Sequence, residues 1–455
     1  MLFSAGKILP ILLLLGVAAF VLLASRLTGS STLSQHPDFI VWTFSPDRVT
    51  TYRDSIDVAK FESITGRRVF VRLMSPAVLN LKLASLIDLN QPTDALPDAV
   101  EIELSYLGRY FTAQETDARS AVGLLPLDDL LSSSDATLSP ARLENCRFLN
   151  SVFALPLDVH PVTITYRPDL FLAAGIDIEK ATTWTMFIAA CQAYQKSSDK
   201  NTASTSGIRI GRRALGVQPF NSELAMMILN QRGISLIDST GKSRLKDQHV
   251  LDVASLCARM IASDGITLAH GAADDAWASD LDSGKVAAII TPDWRAQQLT
   301  RLAPKLAGKV RMMPLPVLDP LLDVPTSTWG GTVIAIPLHA RSTTDSLTFL
   351  RVLYLESQQP SELLSANTAI WPKQPLADAF FSGQDICQLQ TMLAARVKPR
   401  ATSSNAVIAQ SLLADVIWRA SELAEADRGK WLIKALTDAD AELSRRIEFR
   451  QRRSH

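Results

Sequence analysis

The stretch Ala154-Leu155-Pro156-Leu157-Asp158-Val159-His160-Pro161, continued by Thr165-Tyr166-Arg167-Pro168-Asp169-Leu170-Phe171, decides how this chain is read. From Val152 to Thr165 the residues are strand-like, and Pro156 and Pro161 interrupt the run. N-terminal to it, Phe39-Ile40-Val41-Trp42-Thr43-Phe44 is rich in β-branched and aromatic residues and predicts a buried strand ending at Ser45-Pro46. Thr51 to Ile64 carries Ile56, Val58-Ala59 and Phe61 at helical spacing, Gly66 stops that helix, and Arg68 to Leu73 alternates as a second strand. This β-α-β unit is extended by an amphipathic helix from Asn80 to Leu89 and a strand from Pro97 to Ile102, the pattern of an α/β layer domain. C-terminal to the central stretch, helices are expected over Thr182 to Tyr194 and Ser222 to Gln231, with buried strands at Val286 to Ile290 and Thr332 to Ile336. Helical periodicity dominates after about residue 400, and a second α/β lobe follows from these blocks. Lys196 to Ser206, rich in Ser, Thr and Asn, reads as a surface loop.

Composition bounds the function. At 455 residues the chain is long enough for two or three units. Lys+Arg and Asp+Glu both number 46, so the net charge is zero and there is no general attraction for phosphate backbones; nucleic acid is not an expected partner. A hydrophobic content of 47% against 20% charged residues excludes extensive disorder. Cys146, Cys191, Cys257 and Cys387 form no Cys-x-x-Cys pair, and Cys191 and Cys257 sit in helix-like apolar patterns, where a thiol packs as a small hydrophobe.

The N-terminus points to export. Lys7 precedes the apolar run Ile8 to Ala24, which ends before Ser25-Arg26 and lies between a signal-peptide core and a short membrane anchor in length. Residues 1–28 are read as that signal or anchor and 29–37, with Gly29 to Ser31, as a linker. No Cys follows the run, so a lipoprotein anchor is not expected.

Catalytic patterns are scarce. The sequence has no Gly-x-Ser-x-Gly elbow, His-Glu-x-x-His, P-loop or Gly-x-Gly-x-x-Gly, and no metal or organic cofactor is expected. Glu101 and Glu103 share a strand face, whereas glycoside hydrolysis needs its two carboxyls on opposite sides of the sugar bond. His160, between Asp158 and Pro161, suits a structural or ligand hydrogen bond better than general-base work, with no nucleophile nearby in sequence. The tryptophans are more informative. Trp294 follows a buried strand in Thr291-Pro292-Asp293-Trp294-Arg295, Trp329 precedes Gly330-Gly331, and Trp371 precedes Pro372. Strand ends in α/β sheets are where ligands bind, and an indole face beside carboxylates suits the C–H face and hydroxyl fringe of a sugar.

The central stretch, with Ala174-Gly175-Ile176 and Thr183-Trp184-Thr185-Met186-Phe187, resembles a known family: the extracellular solute-binding proteins of carbohydrate ABC importers, the group that includes maltose-binding protein. Ser283-Gly284-Lys285-Val286-Ala287-Ala288-Ile289 leading to Asp293-Trp294 is similar to a second family segment, and Met313-Pro314-Leu315-Pro316 with Trp329-Gly330-Gly331-Thr332 to a third. The resemblance implies an α/β, two-lobed periplasmic-binding-protein fold of the type II, Venus-flytrap kind, with crossover hinge strands and ligand held between the lobes. The N-terminal lobe is then 38–156 with 331–378 and the C-terminal lobe 157–330 with 379–455. Two departures stand out: Thr165 where many relatives have a second Tyr, and Met186 where an acidic residue is typical.

The expected function is an extracytoplasmic, non-enzymatic receptor, a monomer, that captures a mono- or oligosaccharide by hinge closure and presents it to ABC permease subunits in the membrane. The alternative is a membrane-anchored sensory protein on the same fold. Expected contacts are Trp294 and Trp329 as stacking platforms, Asp158, Glu101 and Asp293 as hydroxyl acceptors, Tyr166 and Arg295 as further polar contacts, and Phe44, Ser45 and Trp371 in a second rank. Asp158 and Tyr166 equally suit a purely structural role in the crossover strand. The Arg445-Arg446 and Arg450 to Arg453 cations complement a C-terminal helix dipole.

Overall fold

The computed structural model describes residues 38–88, 95–111, 122–134, 137–201, 213–217, 222–238, 240–270, 275–359, 363–372, 374, 376–400 and 402–453. The apolar run Ile8 to Ala24 and the linker after it lie outside the described residues. None of the described helices is long and apolar enough to cross a membrane.

In chain order the strands are β1 (Phe39–Thr43), β2 (Val69–Leu73), β3 (Ala99–Glu103), β4 (Arg147–Phe148), β5 (Ser151–Val152), β6 (Leu155–Pro156), β7 (Val162–Tyr166), β8 (Arg213–Val217), β9 (Thr267–Ala269), β10 (Val286–Pro292), β11 (Arg311–Pro314) and β12 (Thr332–Ala335). They form two five-stranded sheets, ordered β2-β1-β3-β12-β6 and β11-β7-β10-β8-β9, and each sheet is the centre of one lobe. In the first, β1 runs parallel to β2 and β3, while β12 is antiparallel to β3 and β6. In the second, β8, β9 and β10 are mutually parallel and β7 runs against β10 and β11.

Local chemistry explains the first lobe. β1 is buried on both faces but for Ile40, as a central parallel strand requires. The helix expected over Thr51 to Ile64 is instead two, Pro46–Asp54 and Ile56–Thr65. Ser55 is the reason: its backbone is extended and its hydroxyl accepts from Val58 N, so it ends one helix and caps the next. Gly66 stops the second helix as expected, with φ of 69° and its N–H on Glu62 O. The rings of Phe39, Phe61 and Phe349 meet at 4.8–5.2 Å, and this cluster fixes the helix Thr343–Leu350 to the first sheet.

The second lobe has the larger core. Helices Gln248–Ile261, Ala406–Ser421 and Glu425–Arg453 pack together and join the strands of the second sheet in one apolar cluster. The helix expected to end at Tyr194 runs from Trp184 to Asn201, through the first part of the expected surface loop. Cys191 and Cys257 are buried, free thiols inside helices.

Between the lobes the chain crosses side by side. Leu157 N donates to Thr332 O at 2.9 Å, Val162 N to Ser327 O at 3.1 Å, Val159 N to Leu364 O at 3.0 Å and Ala366 N to Leu157 O at 3.1 Å. Segments 157–161, 327–332 and 364–366 thus form one hydrogen-bonded hinge, with prolines at 156 and 161 where the first segment leaves one sheet and enters the other.

Candidate ligand-binding site

A chain of buried charges runs along this hinge. Asp158, on the first crossing, accepts from Arg142 Nη2 at 3.3 Å, Arg48 Nη2 at 3.3 Å and Thr332 N at 3.1 Å. His160 Nε2 lies 3.1 Å from Asp158, and its Nδ1 2.7 Å from Asp293 Oδ1. His160 has φ of 54°, a left-handed conformation rare for a residue with a Cβ, held by a carboxylate on either side. Burial alone would push this imidazole down, but attraction to Asp158 and Asp293 outweighs it and holds its pKa up to about 9. Burial likewise opposes ionisation of Asp158, and His160, Arg142 and Arg48 overcome it, holding the carboxyl well below its ordinary range. Arg48 also reaches Glu101 at 3.4 Å, and Glu101 accepts from Thr43 Oγ1 at 2.5 Å and from the Tyr52 hydroxyl.

At the far end of this chain lies an aromatic cluster. β10 ends at Pro292, and Asp293 starts the helix Asp293–Leu302, taking Trp294 N on Oδ1 at 2.8 Å and Leu364 N on Oδ2 at 3.2 Å. Trp294, half-buried, meets the half-buried Trp329 edge to face at 5.8 Å and donates its indole N–H to Trp329 O at 3.3 Å. Behind them the Arg295 guanidinium sits 4.5 Å from the Trp329 ring centre, 4.7 Å from that of Trp277 and 5.4 Å from that of Trp294.

Beside the cluster, a cleft of about 520 Å³ opens between the start of the helix Glu223–Gln231 and the helix Ala406–Ser421, with Glu223, Gln410, Ser411, Asp415, Trp418 and Arg419 on its walls. Its volume is that of a small-molecule site. Glu223 also lines the space against Arg295 and Trp329, so cleft and cluster share a wall. Towards the other lobe, the helix Ala406–Ser421 meets the helix Leu104–Leu107, and Glu223 feels the charge of Glu103 at the end of β3. Burial, countered by Arg400 and helped by Glu103, raises the Glu223 pKa.

The structure thus brings together Trp294, Trp329, Arg295 and Asp293, and links them through His160 to Asp158 and Glu101. Asp158 and Glu101 are buried and already accept several protein donors. Ser45 caps the helix Pro46–Asp54 at Arg48 N, and Phe44 packs half-buried against the first lobe's core. Trp371 donates to Ser365 O at 2.7 Å beside the hinge. Tyr166 is not among the rest: it pairs with Ala288, whereas Val162 at the other end of β7 pairs with Pro292, and its hydroxyl is bonded to Glu179. Sequence reasoning missed Glu223, Gln410, Ser411 and Trp418, which lie on amphipathic helices where a polar face looks like a solvated one. Among the described residues no group of His, Cys, Asp and Glu is placed to hold a metal ion.

Known proteins share this architecture. The chain is similar to the sugar-binding protein MalE of Xanthomonas citri, at 16% identity and a TM-score of 0.69 over 91% of this chain and 100% of that one. It is also similar to the GacH receptor of Streptomyces glaucescens, solved unliganded and with acarbose, at 14% identity and a TM-score of 0.67 over 90% and 98% of the two chains. At these identities the likeness establishes the two-lobed fold. In sequence it is 23% identical over 286 residues to an arabinooligosaccharide-binding protein of Halalkalibacterium halodurans, covering 62% of this chain and 59% of that protein, so the chain spans about three-fifths of the length of that curated relative. The family model for bacterial extracellular solute-binding proteins matches residues 58–375, and the chain belongs to that family, whose members work outside the cytoplasm.

Proposed function

We propose that this protein is a receptor that captures a carbohydrate between its lobes, closes over it without covalent chemistry, and presents the closed form to the permease of an ABC importer. The observation that carries the reading is the position of Trp294 and Trp329: half-buried indoles at the carboxyl edge of the second sheet, one of them in the hinge segment 327–332, beside a polar cleft of about 520 Å³. The indole faces take the apolar side of a sugar ring, and Gln410, Ser411 and Glu223 supply hydrogen bonds to its hydroxyls. Because Trp329 rides on the second crossing, ligand contact and hinge angle are coupled, and ligand favours the closed state by its higher affinity for it. Binding rather than hydrolysis is supported by Glu101 and Asp158, whose oxygens are occupied by protein donors instead of flanking an open space. The relatives that bind arabino-oligosaccharides and other sugars point to the same ligand class. The protein acts as a monomer outside the cytoplasm, exported by residues 1–28 as a signal peptide or membrane anchor.

Isothermal titration with arabino- and malto-oligosaccharides, paired with small-angle scattering, tests the reading. A sugar that binds and also reduces the radius of gyration supports capture by closure. Binding of none of them, with full response to a different solute class, overturns the carbohydrate assignment.

A further inference from the structure

Arg295 is the one cation in the site whose charge has no answer among the described residues. Arg295 is 3% exposed, yet no carboxylate of the described residues lies within ion-pair distance. Two nearby acids are committed elsewhere: Asp293 to His160 and the first turn of its own helix, and Asp280 to His270 and Lys285. Burial pushes the Arg295 pKa down to about 10, so the group is still charged at neutral pH. Nη1 donates to Ile290 O at 3.1 Å, while Nε is shielded from solvent and has no acceptor. Three indole faces offset part of the cost of burying this charge, and they leave the Nε edge of the planar fork without a hydrogen-bond partner. Buried charges in proteins are ordinarily paired, so an orphan in a binding cleft calls for a counter-ion from outside.

A second group on the same sheet edge is in the same condition. β8, β9 and β10 are parallel, so their carboxyl ends lie together, and His270 directly follows β9 as Arg295 follows β10. His270 Nδ1 is 2.9 Å from Asp280 Oδ2, but its buried Nε2 has no partner. The ring lies against Gly216 of β8, where a Cβ would come within 2.2 Å of it, so only glycine admits the imidazole at this place. His270 is close enough to Arg295 for the guanidinium to disfavour its protonation.

We infer that this edge of the second lobe is a carboxylate subsite, in which Arg295, assisted by His270, receives the acid group of a uronic acid residue in the captured sugar. A planar carboxylate matches the unfilled edge of a guanidinium with parallel N–H···O bonds, which a hydroxyl does not do. Trp329, which covers the guanidinium, lies in the hinge segment 327–332, next to the crossing between the lobes. This rests on the proposed sugar-receptor function and narrows it to acidic glycans.

The test is calorimetric titration of the full protein with oligogalacturonides and glucuronic-acid-bearing xylo-oligosaccharides, each paired with the same glycan after reduction of its carboxyl groups to alcohols. At least one acidic member should bind tenfold or more tighter than its reduced partner, and Arg295→Gln and Arg295→Lys should both collapse that ratio towards one, Lys because it keeps the charge and loses the fork. Far-ultraviolet circular dichroism checks that the variants fold, and the wild-type ratio stands without them. Equal binding of acidic and reduced glycans, or a preference that survives in a folded Arg295→Gln protein, overturns the subsite while leaving a neutral-sugar receptor intact. Failure of every glycan, acidic, reduced or neutral, overturns the receptor function and the subsite with it.

Discussion

His160 Nδ1 stands 2.7 Å from Asp293 Oδ1, and this contact joins the hinge to the aromatic cluster. On the hinge side, His160 Nε2 holds Asp158, which is tied to Arg48, Arg142 and Thr332 N. On the other side, Asp293 receives the backbone N–H of Trp294. One protonated imidazole therefore connects the first lobe to an indole of the site.

The pH dependence of stability follows from the direction of the shift. The His160 pKa is raised from an ordinary 6.5 to about 9, so the folded state binds this proton more tightly than the unfolded state. Its contribution is fully present below about pH 6.5 and is lost as pH rises through 9. Melting temperature should fall between pH 7 and 10 in the wild type. In His160→Gln that alkaline fall should be largely absent, and the variant should be destabilised by about 3 kcal/mol at pH 7, because two buried carboxylates lose their cation. A parallel fall in both proteins would remove His160 from the account.

Asp158 works in the opposite sense. Its folded pKa is depressed, so its contribution is present above the ordinary value of 3.8 and is lost as pH falls below it. Asp158→Asn should remove part of the acid sensitivity of unfolding, as read by denaturant titration at pH 3 and pH 7.

Gly331 has φ of 136°, and a Cβ built there would lie 1.8 Å from Arg142 Nη2, one of the cations on Asp158. Gly331→Ala combines a strained backbone with displacement of a buried ion pair. A loss of about 2–4 kcal/mol in unfolding free energy is expected. Gly330, also at positive φ but with open space around it, should cost less, about 1 kcal/mol.

On the cleft wall, Gln410→Ala should weaken sugar binding by about 1 kcal/mol with little change in melting temperature, the value of one hydrogen bond made only in the complex. Trp294→Ala should cost about 1–3 kcal/mol of binding while the fold persists, as for a half-buried aromatic anchor. Calorimetry on folded variants separates the two effects.

Much of the fold was legible because periodicity reports burial. The strand of Phe39 to Thr43, the stop at Gly66 and the prolines flanking the first crossing each carry a local cause visible in sequence. The break at Ser55 was missed, since a Ser inside an apolar period reads as a tolerated residue until its hydroxyl is seen capping the next helix. At the candidate site, Asp293, Trp294 and Arg295 are consecutive just after a strand and Trp329 precedes Gly330-Gly331, and the structure brings these four together. Glu101 and Asp158 are expected from sequence as hydroxyl acceptors, but their saturation by Thr43, Tyr52, Arg48 and Arg142 depends on long-range pairing that one sequence does not display. The same holds for Gln410, Ser411 and Trp418, which the helix Ala406–Ser421 brings to Glu223 from nearly two hundred positions away.

The most direct measurement is thermal denaturation of the wild type and a Trp294→Ala/Trp329→Ala double variant against a panel of mono- and oligosaccharides, amino acids and polyamines. A ligand that binds only the native state raises its melting temperature by mass action. The account predicts a rise with one class of sugar in the wild type, and loss of that rise in a double variant that still melts cooperatively. A rise that persists undiminished in the double variant, or a response confined to solutes other than sugars, would contradict it.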